Sequence, residues 1–263
     1  MSARAATSTL GVLLRSQPYR DADLIVTLFT EALGKVSALA RAARRSQRRF
    51  AGALGALVLG SFQLTRAPRS ELWTLETATA ERSWLELSGD MAAVAHASYV
   101  LELTRELLPA EAPEPSVLAL ILELWDALRE GPSPAALRLV EWRLLAAAGT
   151  PPALEVCAAC GAALDDEPVC LFDPRRGGAM CRRCAAEGRG AGARVLSTDA
   201  RRYLASLASA ETIAAARALE AAAPVDAADR AAARDAMIAM IQVLVPRPLK
   251  TVEFIAKVSK PTS

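Results

Sequence analysis

The sequence has little of what an enzyme active site is usually built from. Its one histidine, His96, lies in the middle of a predicted helix, without a cysteine or carboxylate cluster near it. No glycine-rich loop carries the lysine and the Ser/Thr that hold nucleotide phosphates and magnesium. Asp21 and Asp23 are close together, but a turn that leads into a strand accounts for them. We therefore predict that the protein is not an enzyme.

Long apolar runs are also missing. The longest uncharged stretch, residues 50–65, contains glycines, a serine and a glutamine and is too short to span a bilayer. No segment resembles a signal peptide. Hydrophobic residues make up 52% of the chain, but alanine inflates this share. These features predict a soluble protein of the cytoplasm that makes no membrane contact.

Charge is distributed unevenly along the chain. Residues 1–80 carry 11 lysines and arginines against 5 acidic residues, whereas the remaining residues carry 20 against 24. This asymmetry indicates a basic interaction module attached to an acidic body.

The hydrophobic pattern changes at about the same place. Short Val-, Leu- and Ile-rich segments predict five strands, at residues 9–16, 23–30, 34–41, 55–67 and 71–81. Five strands at this spacing are typical of a small closed barrel. From residue 81 onward the pattern is helical, with predicted N-caps at Ser116, Ser133 and Asp226. The predicted fold class is α+β: a five-stranded OB-fold barrel over residues 1–80 and an α-helical domain over residues 81–263.

Four cysteines interrupt the helical part in a metal-binding pattern. Cys157 and Cys160 form one C-x-x-C pair, and Cys181 and Cys184 form a second pair 20 residues later. This spacing predicts a four-thiolate zinc ribbon at about residues 155–190, because each pair can supply one edge of a tetrahedron. Two disulfides or four ordinary thiols are the alternatives. A site closed by four cysteines leaves no position for water, so one zinc ion per chain would be structural. We predict that Cys170 is a small buried residue and not a ligand.

The strongest basic signal is the segment RAARRSQRRF at residues 41–50, where five of ten residues are arginine. No acidic residue occurs between residues 32 and 70. In an OB barrel the second and third strands and the neighbouring loops form the nucleic-acid surface, and arginine pairs well with phosphate. A solvated charged loop is the alternative. Nearby aromatic residues that could stack on bases are Tyr19, Phe29 and Phe50. The predicted DNA-binding set comprises Lys35, Arg41, Arg44, Arg45, Arg48 and Arg49.

Together these segments resemble the bacterial recombination mediator family RecO. The resemblance rests on DADLIVTLFTEALGKVSALARAARRSQRRFAGAL, on CAACG…FDPRRGGAMCRRC and on RPLKTVEFI near the C-terminus. The family often has glycine where Ala42 stands. The resemblance implies the DNA-binding role for the basic set and the metal role for the four cysteines.

The resemblance further implies a DNA repair protein of the RecF recombination pathway. Such a protein binds single- and double-stranded DNA, anneals complementary strands and helps RecA to load with RecR on strands coated by single-stranded DNA-binding protein (SSB). It also binds the C-terminal tail of SSB, and we expect that site at an apolar hole beside basic side chains such as Arg138 or Arg143. The implied location is cytoplasmic, at the nucleoid. A zinc-ribbon transcription factor, a DNA-processing enzyme with a structural zinc and a purely structural adaptor without DNA affinity are the alternatives.

Overall fold

The structure is a computed structural model. It describes residues 5–50, 52–68, 70–165, 169–189 and 192–258, and for Ala5, Gln47, Arg48, Gly188 and Arg189 it describes the backbone alone. The chain divides into two compact units, one formed by residues 1–129 and 255–263 and the other by residues 130–254.

A closed five-stranded barrel forms most of the first unit. Its strand order is β1-β2-β3-β5-β4, and β1 also pairs with β4 to close the barrel. All pairs are antiparallel except β3 with β5, which run parallel at Ala38 and Trp73. This is an OB-like order, as predicted. The strands are β1 (Ala5–Tyr19), β2 (Asp23–Thr30), β3 (Gly34–Ala40), β4 (Val58–Arg66) and β5 (Trp73–Ser83).

Buried and exposed side chains alternate along the strands, and the buried ones fill the barrel. In β3, Val36, Ala38 and Ala40 are buried in the core, whereas Ser37 between them is exposed. Such a period of two is what one buried sheet face requires. The barrel core also contains the side chains of Val26, Leu28, Phe62, Leu64 and Leu75.

The turn between β2 and β3 requires the glycine that the sequence places there. Gly34 has φ +65°, a conformation that residues with a Cβ seldom adopt. An added Cβ would also lie 2.1 Å from the carbonyl oxygen of Ala112. Glycine at this position therefore allows the segment that follows α2 to pack closely on the β2–β3 turn.

Two long helices complete the first unit. They are α2 (Met91–Leu107) and α3 (Pro115–Ala127), which follow the four-residue α1 (Gln47–Phe50) in chain order. The predicted cap of α3 at Ser116 is wrong, because the helix begins one residue earlier with Pro115 and its N-cap is Glu114. Proline fits the first helical turn, where its missing N–H costs no hydrogen bond.

The second unit combines helices with a small sheet of order β7-β6-β8. Ser133 and Asp226 cap α4 and α8 through their side chains, as predicted. Its strands are β6 (Val169–Asp173), β7 (Gly178–Met180) and β8 (Arg194–Ser197). Its helices are α4 (Pro134–Ala147), the short α5 (Arg182–Cys184), α6 (Thr198–Ala208), α7 (Ile213–Ala222) and α8 (Ala227–Leu244), and α9 (Lys250–Val258) crosses the division between units.

The predicted domain boundary after residue 80 stays a prediction. The last barrel strand ends at Ser83, and the compact unit that contains the barrel continues through α2 and α3 to Arg129. Within the described ranges, no helix has the length and apolar character needed to cross a membrane.

Candidate functional site

The arginine loop, residues 41–49, follows directly from the end of β3. Ala42 has φ +54°, so it occupies the conformation for which glycine is the natural choice. Its N–H donates to Asp23 Oδ1 at 2.8 Å, and its carbonyl accepts from the N–H groups of Arg45 and Ser46, both at 3.0 Å. These bonds fold the loop into a compact turn, and they give Asp23 a structural role at the turn that leads into β2, as the sequence predicts.

The same loop is tied to the turn between β1 and β2. The Arg44 N–H donates to the carbonyl of Ala22 at 3.0 Å, and the Arg44 guanidinium donates to the carbonyl of Asp21 at 3.2 Å. The tip of the β1–β2 hairpin and the arginine loop therefore form one continuous surface.

Three arginines of the predicted set present their side chains to solvent on this surface. Arg41, Arg44 and Arg45 are all exposed. Among the described side chains, none of the three forms an ion pair with an acidic residue. Their positive charge is therefore available to an external anion. The side chain of Arg48, a fourth member of the set, lies outside the described residues.

Arg49 is engaged within the protein. Its guanidinium donates twice to the carbonyl of Glu76 on β5, at 2.7 and 3.2 Å, and once to the carbonyl of Arg41 at 3.4 Å. The guanidinium carbon lies 5.1 Å from the centre of the Phe50 ring. Arg49 thus anchors both ends of the loop to the barrel.

Lys35 is separated from the arginines. It lies at the start of β3, six residues before Arg41, which corresponds to about 20 Å along an extended strand. Its Nζ donates to the carbonyl of Arg105 near the end of α2 at 2.5 Å. Burial is the main reason why the pKa of Lys35 is lowered from its usual value, against the opposing effect of Glu106.

The three candidate stacking residues have different exposures. Phe29 is completely buried and Phe50 is 4% exposed, so neither ring can receive a base. Tyr19 at the end of β1 is 39% exposed, and the Arg20 guanidinium carbon lies 5.2 Å from its ring centre.

The four cysteines of the predicted ribbon come together in the second unit. Their sulfur atoms all lie within 4.8 Å of one another, and the Sγ atoms of Cys160 and Cys181 are 3.8 Å apart. A tetrahedral zinc site with Zn–S bonds of about 2.3 Å has sulfur–sulfur edges of about 3.8 Å. None of the five cysteines, all of which lie in the described part of the chain, forms a disulfide bond. The four residues can therefore hold a metal ion, as their spacing predicts.

Backbone donors favour the thiolate form of Cys157 in this cluster. Burial raises the pKa of the Cys157 thiol, but hydrogen bonds from the N–H groups of Cys181, Ala159 and Cys160 outweigh it and lower the pKa to about 6. Gly161, with φ +74°, completes the first turn by donating its N–H to the Cys157 carbonyl at 2.8 Å. The Arg183 side chain hydrogen-bonds Cys160, and this contact raises the pKa of Arg183. A nearby cation offsets negative charge on the sulfurs.

Cys170 is not a member of the cluster. It lies in β6, is 3% exposed and has its Sγ 3.6 Å from the carbonyl oxygen of Leu196. The prediction of a small buried residue is confirmed.

Arg201 supports the first cysteine pair, a role that the sequence analysis missed. Its side chain, 3% exposed in α6, donates to the carbonyls of Leu154 and Leu164 at 2.9 and 2.8 Å. These two leucines flank the first cysteine pair on either side. An arginine at a buried helical position is the only sequence signal that could have found it.

Replacement of Arg201 by methionine is expected to lower the free energy of unfolding by about 2–4 kcal/mol, since two buried carbonyls lose a charged donor. Denaturant unfolding at equal metal content measures this change. Arg202→Met is the matched control: this exposed neighbour makes one long bond, 3.5 Å to the Asp165 carbonyl, and its loss should cost under about 0.5 kcal/mol. Equal losses in the two variants would contradict the bracing role of Arg201.

Two further expectations concern the second unit and α2. Arg138 is 6% exposed and pairs with Glu141 at 2.5 Å, so it does not present a basic side chain beside a surface hole. Arg143 donates to the carbonyl of Ala210 at 2.6 Å. His96 lies within α2, as predicted, and its side chain is buried there.

Two models of one protein family together match nearly the whole chain. The model described as "Recombination protein O N terminal" matches residues 1–84, and the model described as "Recombination protein O C terminal" matches residues 88–253. Among similar curated proteins, the DNA repair protein RecO of Anaeromyxobacter sp. (strain K) is 38% identical over 176 residues, which cover 66% of this chain and 69% of the relative. The protein of the same name from Koribacter versatilis (strain Ellin345) is 34% identical over 170 residues, 65% of this chain and 69% of the relative. That from Syntrophus aciditrophicus (strain SB) is 33% identical over 185 residues, 70% of this chain and 71% of the relative.

Proposed function

Because the chain belongs to the recombination protein O family, we propose that it acts in DNA repair and homologous recombination as a non-catalytic mediator of the RecF pathway. It binds single- and double-stranded DNA and anneals complementary strands. With RecR, it assists the loading of RecA on strands coated by SSB. It works in the cytoplasm, at the nucleoid.

The observation that carries this proposal is the arginine loop. Arg41, Arg44 and Arg45 are exposed on a surface that the β1–β2 hairpin and the end of β3 hold in place. With no acidic residue between positions 32 and 70, nothing nearby in the sequence neutralises them. Charge-assisted hydrogen bonds from guanidinium groups to phosphate are the strongest contacts available to such a surface.

The contributions of the six predicted residues differ in this proposal. Arg41, Arg44 and Arg45 bind phosphates directly, and Arg48 belongs to the same run of sequence. Arg49 contributes mainly by fixing the loop through the carbonyls of Glu76 and Arg41. Lys35, whose ammonium group is bound to a carbonyl of α2, lies away from the other five and makes at most a separate contact.

Annealing follows from charge neutralisation and needs no nucleotide cofactor. Two complementary strands repel each other through their phosphates, and a set of exposed arginines that contacts both backbones reduces this repulsion. The protein then holds the strands close enough for bases to pair. No step of this process breaks a covalent bond.

The metal in the proposed function is one structural zinc ion per chain, held by Cys157, Cys160, Cys181 and Cys184. Four cysteine ligands leave no open coordination position, so zinc here supplies fold stability and no reaction chemistry. RecR and the acidic C-terminal tail of SSB are the proposed protein partners. The burial of Arg138 argues against a tail site built around that residue.

Annealing of two labelled complementary oligonucleotides tests the proposal. Wild-type protein should accelerate annealing, and a variant with Arg44→Ala and Arg45→Ala should be slower by about tenfold because two phosphate contacts are lost. The control variant carries Arg129→Ala and Arg234→Ala, which remove the same charge from exposed ion pairs outside the loop. Absence of annealing by the wild type, equal loss in both variants, or cleavage of DNA in magnesium or manganese would contradict the proposal.

A further inference from the structure

The outer face of the barrel beside the arginine loop has the composition of a base-binding surface. Residues paired directly across antiparallel strands lie on the same face of a sheet. The pairs Arg15–Thr27, Gln17–Ile25 and Tyr19–Asp23 join β1 to β2, and Ile25–Leu39 and Thr27–Ser37 join β2 to β3. We call this surface the open face; it is formed by Arg15, Gln17, Tyr19, Ile25, Thr27, Ser37 and Leu39.

The side chains of the open face do not belong to the core of the barrel. Val26, Leu28, Val36 and Ala38, which alternate with them, fill the core. The members of the open face are exposed or partly exposed, with Ile25 and Leu39 forming a partly exposed apolar centre. Tyr19 stands at one end of this centre, and Arg15 flanks it on β1.

Helices cover the rest of the same face. Phe29 and Lys35, which pair with each other across β2 and β3, continue the outward row beyond Thr27 and Ser37. Phe29 is completely buried, Lys35 is bound to the Arg105 carbonyl of α2, and α3 packs against β2. Because helices cover this half of the face, Phe29 and Lys35 are not available to bind DNA. A ligand is therefore confined to the half that borders the arginine loop.

Tyr19 combines an exposed ring with a cationic neighbour. The Arg20 guanidinium carbon lies 5.2 Å from its ring centre, and Arg20 has φ +55°, so the turn directs this side chain back over the preceding ring. One face of the ring thus has a cationic neighbour while the side chain remains 39% exposed. A tyrosine side chain has only two rotatable angles, so it loses little conformational freedom when a base stacks on it.

We propose that the open face binds the bases of a single strand, with Tyr19 stacking on one base while Arg41, Arg44 and Arg45 hold the adjacent phosphates. The proposal rests on the proposed function and adds to it the feature that separates single strands from duplexes. Neighbouring strands are about 4.8 Å apart, so the face from β1 to β3 is about 10 Å wide and has room for one or two bases. Bases in a duplex are stacked on their neighbours and cannot reach Tyr19. Since one aromatic platform holds one base, the remaining bases stay free to pair during annealing.

The test compares Tyr19→Ala with Leu10→Ala on three ligands. Leu10 is the matched control, because it lies on the same strand and is 38% exposed but pairs with Ser61 of β4, away from the open face. The ligands are a short oligothymidine, an abasic strand of the same length and a blunt-ended duplex without unpaired bases. Tyr19→Ala should bind oligothymidine about 5- to 100-fold more weakly than wild type. It should bind the abasic strand and the duplex as wild type does. Tyr19→Phe, which keeps the ring, should retain oligothymidine affinity.

The other outcomes overturn either the inference or its premise. Full oligothymidine affinity in Tyr19→Ala, together with reduced affinity in the Arg44/Arg45 variant, would refute stacking and leave the DNA-binding function intact. An equal loss on all three ligands would mean that Tyr19 shapes the hairpin and does not contact bases. Undiminished affinity in both the Tyr19 and the Arg44/Arg45 variants would refute the proposed site itself.

Discussion

Replacing Arg44 and Arg45 with alanine is expected to flatten the salt dependence of DNA binding. Each phosphate contact with a single strand contributes about 0.7 to the slope of log affinity against log salt. Loss of two contacts should therefore reduce that slope by about 1.4. Between 50 and 200 mM salt, the affinity ratio of wild type to variant should then shrink by about sevenfold. Fluorescence anisotropy of a labelled oligonucleotide across a salt series measures both quantities.

Two comparisons make this experiment specific to the loop. The Arg129→Ala/Arg234→Ala variant has the same net charge as the Arg44/Arg45 variant, but its replaced residues lie in ion pairs with Glu86, Asp126 and Asp235. Its slope should match that of the wild type. Arg49→Ala should change the slope less than either Arg44→Ala or Arg45→Ala, because the guanidinium of Arg49 donates to carbonyls. An unchanged slope in the Arg44/Arg45 variant would mean that the loop is solvated and that DNA binds elsewhere.

The barrel could be predicted because its signal is local. Strand β2 occupies Asp23–Thr30 as predicted, since a short run rich in Val, Leu and Ile between turn residues specifies both the strand and its limits. The cap at Ser116 could not be predicted correctly, because serine and the preceding Pro115 both favour a helix start and the proline determined it. Strand β1 extends from Ala5 to Tyr19, well beyond the predicted residues 9–16. Its last five residues, 15–19, are exposed on the hairpin, and an exposed strand end has no hydrophobic alternation to reveal it.

The sequence predicted the candidate sites as clusters of residues, but it did not predict the contacts of each side chain. Cysteine spacing predicted the cluster, because the ligands of a metal must converge whatever the surrounding fold. Charge clustering grouped Lys35 with the arginines, although the length of β3 separates them. Nothing in the sequence distinguishes Arg49, whose side chain anchors the loop, from Arg44 and Arg45, whose side chains are exposed. That distinction depends on the Glu76 carbonyl, which comes from a strand 27 residues away.

Cys160→Ser is expected to remove most of the metal and to destabilise the second unit by several kcal/mol. Structural zinc sites contribute about 10–16 kcal/mol of apparent binding free energy, and a hydroxyl is a poor substitute for a thiolate ligand. Cys160 is the most informative of the four cysteines because it is exposed while the other three are buried. Without a metal role, an exposed Cys→Ser change should cost under about 0.5 kcal/mol. Metal content per chain and thermal unfolding measure the two effects.

Cys170→Ser is the control for this experiment, because Cys170 is buried but lies outside the cluster. It should lower the melting temperature through a packing defect and retain one metal ion per chain. DNA affinity per folded molecule should be unchanged in Cys160→Ser, because the arginine loop belongs to the other compact unit. A Cys160→Ser protein with full metal content and wild-type stability would contradict the zinc assignment. A folded Cys160→Ser protein that has lost DNA affinity would mean that the ribbon itself contacts DNA, and the phosphate-binding surface would then extend beyond the barrel.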